Sequence, residues 1–183
     1  MTMRALAIST GLLLALGACE PGSAQQPAPA DSAVRLIREH YATIERELPG
    51  YRCRVLELQG FSLEGGELRA CYAGGQLRKL TAVHYGETFR SEEQFFFWDR
   101  QVEFVFRVHV TYAIPFPHAA GVRERAEDRF YFVDGRLVRW LGPGRAPRSG
   151  AAPDARGEAA EMLELARRLA SCAQDAARTV CAA

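Results

Sequence analysis

Residues Gln101–Tyr112, QVEFVFRVHVTY, alternate Val102, Phe104, Phe106, Val108, Val110 and Tyr112 with Gln101, Glu103, Val105, Arg107, His109 and Thr111. A period of two is that of a strand with one apolar face. Working outward, the same signature predicts strands at Arg52–Leu58, Glu67–Ala73, Gln76–Tyr85, Phe89–Trp98, Arg129–Val133 and Arg136–Leu141. Asp134-Gly135 joins the last two as a hairpin signal, because a type I′ turn requires positive φ at both central residues. Strands joined by short turns read as an antiparallel meander of about six to eight strands.

Either side of the strands the period becomes that of a helix. Val34, Ile37, Tyr41, Ile44 and Leu48 recur at steps of three and four. Asp31 or Ser32 caps this helix and Pro49-Gly50 ends it. Glu158–Val180 is alanine-rich, with Met162, Leu165, Leu169, Cys172 and Ala176 on one side. Its small-residue face suits close packing on another helix or on the chain's own body. The expected fold class is therefore α+β, a meander sheet with an N-terminal and a C-terminal helix.

Four segments share one plan: LEGGEL (Leu63–Leu68), YAGGQL (Tyr72–Leu77), FWDRQV (Phe97–Val102) and FVDGRL (Phe132–Leu137). Each reads as a strand end, a turn and a return strand, at irregular spacing. The pattern resembles MORN-type β-meander repeats, and Leu63–Leu141 is similar to an uncharacterised group of exported bacterial proteins. That resemblance implies a meander fold and no catalytic residue; Arg100 departs from the pattern by replacing the second turn glycine.

Ala113–Glu127, AIPFPHAAGVRERAE, interrupts the meander and reads as a loop through Pro115, Pro117 and Gly121. Phe116 and His118 there form a candidate binding surface, unless the aromatic ring tucks back onto the sheet. Gly142–Gly157, GPGRAPRSGAAPDARG, reads as a linker.

The N-terminus is MTMRALAISTGLLLALGACE: Arg4, an apolar run Ala5–Leu16, then small residues before a cysteine. This is the grammar of a secretory signal, with a run too short for a permanent span of roughly 20 residues. Leu16-Gly17-Ala18-Cys19 resembles the bacterial lipobox, whose cysteine receives a diacylglyceryl group and becomes the new N-terminus. Lipid on Cys19 would anchor the chain to a membrane, each buried CH₂ contributing about 0.8 kcal/mol. Glu20 is not the aspartate of an inner-membrane retention signal, which favours the outer membrane and a periplasm-facing body. Glu20–Ala30, EPGSAQQPAPA, has no large apolar residue and reads as a disordered, extended tether. The expected organisation is thus signal 1–18, lipidated cysteine and tether 19–30, helix plus meander 31–141, linker 142–157 and C-terminal helix 158–183.

Setting Arg4 aside leaves 22 basic against 22 acidic residues, a formal charge of zero. A neutral chain without a basic run is a poor nucleic-acid binder, since phosphate neutralisation dominates such affinity. In an oxidising compartment Cys53 and Cys71, on neighbouring strands, make the plausible bridge. Cys172 and Cys181 are nine apart; on a continuous helix they sit on opposite faces about 13 Å apart, so their pairing requires the helix to break. No cysteine has zinc-site spacing, and no cofactor motif is present.

Catalytic signatures are equally absent: no Gly-x-Ser-x-Gly elbow, phosphate loop or His-Glu-x-x-His helix occurs. Ser62 and Ser91 would need a histidine folded beside them to act as nucleophiles. The best ionisable group is His84, Glu87, Glu92 and Glu93 around Gly86, with Glu103, Arg107 and His109 on one strand. Antiparallel pairing can bring acid and histidine together for acid–base work, or leave a solvated face of ion pairs. Phe89, Phe95, Phe96, Phe97, Trp98, Phe104 and Phe106 exceed what one sheet face needs, so both faces are covered or one binds a partner.

The leading expectation is a non-enzymatic envelope lipoprotein that binds another envelope component, with no catalytic residues, His84, His109, Phe116 and His118 marking its surface. Two alternatives are an inhibitor of a lysozyme-type extracellular hydrolase and a periplasmic enzyme with an acid–base site near His84 and His109.

Overall fold

The computed structural model describes residues 29–115, 120–149 and 153–183; Cys19, Phe116 and His118 lie outside them. Helix α1 (Pro29–Glu47) starts two residues before Asp31, the first of the expected caps. Its Val34, Ile37 and Ile44 are buried, and Tyr41 on the same stripe meets Phe96 and Phe104 edge-on. A 3₁₀ turn at Leu48–Gly50, with its proline in the first turn, leads out of the helix.

The strands follow as β1 (Arg52–Gln59), β2 (Gly66–Ala73), β3 (Gln76–Gly86), β4 (Phe89–Trp98), β5 (Gln101–Ile114), β6 (Ala120–Val133), β7 (Arg136–Leu141) and β8 (Pro147–Arg148). Helix α2 (Pro153–Gln174) and β9 (Val180–Ala182) complete the chain. The nine strands of the described residues form one sheet in the order β8-β7-β6-β5-β4-β3-β2-β1-β9, antiparallel except where β9 runs parallel to β1. The fold is α+β, a meander with a helix at each end.

Three of the four repeated segments close the same turn. Gly74-Gly75 (φ 57° and 78°), Asp99-Arg100 (46° and 67°) and Asp134-Gly135 (48° and 70°) are left-handed at both central positions. That geometry matches the right-handed twist of the flanking strands. Arg100 thus occupies a glycine-type conformation. LEGGEL departs from the plan, because β1 ends at Gln59 and a wider loop intervenes before Gly66. A Cβ on Gly66 would lie 2.2 Å from the Val83 carbonyl oxygen, so this edge of β2 needs glycine.

Four sequence readings are corrected. The segment Ala113–Glu127 is not simply a loop: β5 and β6 continue into it, pairing Val110 with Arg125 and Ile114 with Ala120. Its charged sequence hides the strand period. The ladder is held by backbone pairing to β5, and Arg125 and Arg129 both bond Glu127. Within β5, a bulge opposite Phe96/Phe97 pairs Phe96 with Phe104 but Phe97 with Val102, so Val102 leaves the Phe104 face. The expected linker 142–157 instead contains a 3₁₀ turn at Pro143–Arg145, strand β8 and the first turn of α2. Finally, α2 stops at Gln174 rather than reaching Val180; the chain reverses, and Cys172 and Cys181 are bonded with Cα atoms 5.9 Å apart.

Cys53 and Cys71 face each other across β1 and β2 and are also bonded, Cα atoms 4.1 Å apart. The carbonyls freed at the end of α2 are met by the Tyr72 hydroxyl, donating to Ala173 O at 2.7 Å, and by Arg54, donating to Asp175 O at 2.8 Å.

The helices cover opposite faces. Ala155, Ala159, Met162, Ala166 and Leu169 of α2 lie on Leu56, Leu68, Leu80, Phe95, Val105 and Phe130. Val34, Ile37 and Ile44 of α1 lie on Phe96, Phe104 and Tyr131. Neighbouring residues of a strand point to opposite faces. The run Phe95-Phe96-Phe97 therefore feeds both cores, and the aromatic surplus is used on both sides. Among the described residues no helix is long and apolar enough to cross a membrane.

Candidate functional site

Beyond the apolar patch under α2, the same sheet face turns polar. Register places His84 of β3 opposite Ser91 of β4, and Ser91 opposite His109 of β5. Glu93, also on this face, accepts a 2.5 Å hydrogen bond from the Ser91 hydroxyl, and its other oxygen lies 3.3 Å from His84 Nε2. That approach lacks hydrogen-bond geometry, leaving both His84 ring nitrogens and Glu93 Oε2 buried without a partner among the described residues. His109 stacks on Phe89, ring centroids 5.3 Å apart. Next along the face, Arg107 bonds Asp128 at 3.0 Å and also Glu158 of α2, while Trp140 Nε1 donates to Asp128 at 2.8 Å. Burial works against the Arg107 charge, but the hydrogen bonds to Glu158 and Asp128 outweigh it and hold the guanidinium above its ordinary pKa.

The structure therefore brings His84 and His109 onto one face with Ser91 between them. Of the acids named with them it adds Glu93, but not Glu92 or Glu103. Glu92 points to the opposite face, bonded to Arg90 and Gln94. Glu103 bonds His40 Nδ1 of α1 at 2.7 Å, and His40 in turn stacks on Trp98 at 3.9 Å. Ser62 donates to the Gly65 carbonyl in the β1–β2 loop rather than meeting a histidine. In the polar row the serine bonds the acid and not the imidazole, so neither histidine is positioned to deprotonate Ser91. Among the described residues no group of three His, Cys, Asp or Glu is arranged to hold a metal.

The other face carries a cavity of about 490 Å³ between α1 and the sheet. Ile37, Arg38, Tyr41 and Ala42 come from α1, Phe104 and Phe106 from β5, Arg129 and Tyr131 from β6, Leu141 from β7, and Arg145 from the 3₁₀ turn after it. Phe104 and Tyr131 are buried and form its apolar floor. Arg129 lies 4.7 Å from the Phe106 ring centroid and Arg38 lies 5.7 Å from that of Tyr131, both within cation–π range. Burial, then the nearby Glu45 charge, raises the Tyr41 phenol above its usual value of 10.0, with Arg129 pulling the other way. Tyr41 is thus a neutral hydroxyl at physiological pH. Among the described residues the lining holds no serine, cysteine, histidine or carboxylate.

This cavity escaped the sequence reading. In the sequence Arg38 falls off the apolar stripe of α1, Arg129 within an expected strand and Arg145 within the expected linker; no spacing joins them. The one usable signal was the excess of aromatics, which includes Phe104 and Phe106. Comparison of the chain with protein-family models, curated proteins and solved structures finds no match.

Proposed function

We propose that this chain is a non-enzymatic binding module of the bacterial envelope, held to a membrane through lipid on Cys19. The lipobox-like Leu16-Gly17-Ala18-Cys19, the Pro-rich segment after it and two disulfides support an exported, anchored protein. Glu20 after the cysteine favours the outer membrane. The observation that carries the binding reading is the lining of the α1 cavity. Rings and guanidiniums can hold a ligand, and the lining supplies neither nucleophile nor general base.

A second reading, a periplasmic acid–base enzyme, draws on the 3.3 Å approach of His84 to Glu93. It requires room for a substrate beside them, and neither residue lines the cavity under α1 or three further cavities of 230–420 Å³.

The test joins address and binding. Cys19→Ala should abolish incorporation of labelled palmitate and release the chain from the membrane fraction; a variant that keeps both overturns the anchor. In-cell photocrosslinking from Ala42, at the cavity, should capture one dominant envelope component. Capture of nothing specific from a well-expressed chain overturns the binding reading.

A further inference from the structure

We infer that the cavity under α1 takes a small amphiphilic organic anion, with a carboxylate or phosphate head held by Arg38, Arg129 and Arg145 and an apolar body laid on the aromatic floor. The inference rests on the binding reading above and names the ligand's chemistry.

Three guanidiniums from three separate elements converge on one cavity whose lining, among the described residues, contains no carboxylate. Arg129 is bonded to Glu127 at 2.8 Å, whereas Arg38 and Arg145 form no salt bridge within the described residues. Elsewhere on the sheet some arginines are matched, Arg90 with Glu92, Arg107 with Asp128 and Arg139 with Asp31, while others such as Arg69 and Arg78 form no salt bridge within the described residues; convergence on one cavity is what sets Arg38 and Arg145 apart. The two unmatched cations at the cavity leave a net positive site, and a guanidinium presents a planar fork that suits carboxylate and phosphate oxygens.

Arg38 and Arg129 lie within cation–π range of rings of the lining, which limits the freedom a ligand would otherwise have to freeze out. Arg145 sits in a turn closed by backbone bonds from Gly142 N to Ala146 O (2.8 Å) and from Arg145 N to Gly142 O (2.9 Å). Its backbone is therefore fixed where its side chain reaches the cavity. Tyr41, Phe104, Phe106, Tyr131, Ile37 and Leu141 offer apolar contact that a bare inorganic anion leaves unused. About 490 Å³ falls within the range of small-molecule sites.

The experiment uses the mature chain with Cys19 replaced by serine, and titrates it with three probes below their micelle concentrations. These are dodecyl phosphate, dodecyl maltoside with the same tail and a neutral head, and inorganic phosphate with no tail. Dodecyl phosphate should bind one-to-one, at least tenfold more tightly than either of the others. The double variant Arg38→Gln, Arg145→Gly should weaken dodecyl phosphate binding about tenfold and leave dodecyl maltoside unchanged; glycine suits the φ of 62° at position 145, so the fold is retained. Equal binding of the phosphate and the maltoside, or no effect of the double variant, overturns the anion. Inorganic phosphate binding as tightly as dodecyl phosphate overturns the amphiphile. Co-sedimentation with phosphatidylglycerol vesicles without one-to-one monomer binding shows a bilayer surface as the source and overturns a cavity ligand. Each of these results leaves the palmitate and crosslinking tests above standing on their own.

Discussion

At the scale of single residues, conformation and charge decide more than identity. Arg100 holds φ at 67° in a two-residue turn where the sister turns end in Gly75 and Gly135. A left-handed L-residue costs roughly 1–2 kcal/mol, part of which glycine returns as unfolded-chain entropy. Arg100→Gly should therefore raise stability by about 1 kcal/mol, read from the denaturant midpoint at unchanged slope. Glu92 shows the same principle for charge. Burial pushes its carboxyl up, but hydrogen bonds from Gln94 and Arg90, with the charges of Arg90 and Lys79, outweigh it and bring the pKa below the usual 4.5. A carboxyl with a depressed folded pKa stabilises the fold above its unfolded value and loses that stabilisation as pH falls through the folded one. Between pH 5 and 3 the melting temperature of Glu92→Gln should fall less steeply than that of the wild type; parallel curves would remove Glu92 from the acid transition.

At the scale of elements, β9 depends on the covalent link behind it. It is three residues long and joins the sheet edge through register pairs from Glu57↔Val180 to Gln59↔Ala182, with Glu57 N donating to Thr179 O at 2.9 Å. So short a parallel strand is weak alone. The Cys172–Cys181 bridge restricts the unfolded chain over a separation of nine residues and keeps β9 at the end of α2. Loop closure of that size is worth about 2–3 kcal/mol. Cys172→Ala with Cys181→Ala should lower stability by about that amount and expose the Glu57 amide to hydrogen exchange ahead of amides in β4. Uniform protection across the sheet would show that β9 holds without the bridge. The strand elements themselves were readable where alternation was strong, as in β5, and were lost where charge covered it. The amino-terminal half of β6 carries Arg123, Glu124, Arg125 and Glu127, which are exposed or half-buried, so no apolar period marks it.

At the scale of the whole molecule, one sheet separates two cores. Leu169 is fully buried against the α2 face and Ile44 is 1% exposed against the α1 face. Truncating either side chain to alanine should cost about 2–5 kcal/mol. Because the sheet stands between them and they share no side-chain partner, the double variant should lose the sum to within about 0.5 kcal/mol. Unfolding should stay a single transition, since both cores grip the same strands. Two separated transitions, by circular dichroism and by tryptophan fluorescence, would show that each helix docks independently.

Periodicity and turn chemistry were local enough for the sequence alone to determine the α+β class, the main strand boundaries and the hairpin at Asp134-Gly135. They depend on neighbours a few residues apart. Local chemistry also limited the site: no catalytic signature appears in the chain, and the aromatic excess was visible. The tertiary structure alone decided that the helices take opposite faces, that α2 breaks to let Cys181 return to Cys172, and that Glu93 rather than Glu92 faces His84. It also assembled the cavity, bringing Arg38, Arg129 and Arg145 together from a helix, a strand and a turn. Strand register and helix docking set those meetings, and a one-residue bulge is enough to move a side chain to the other face.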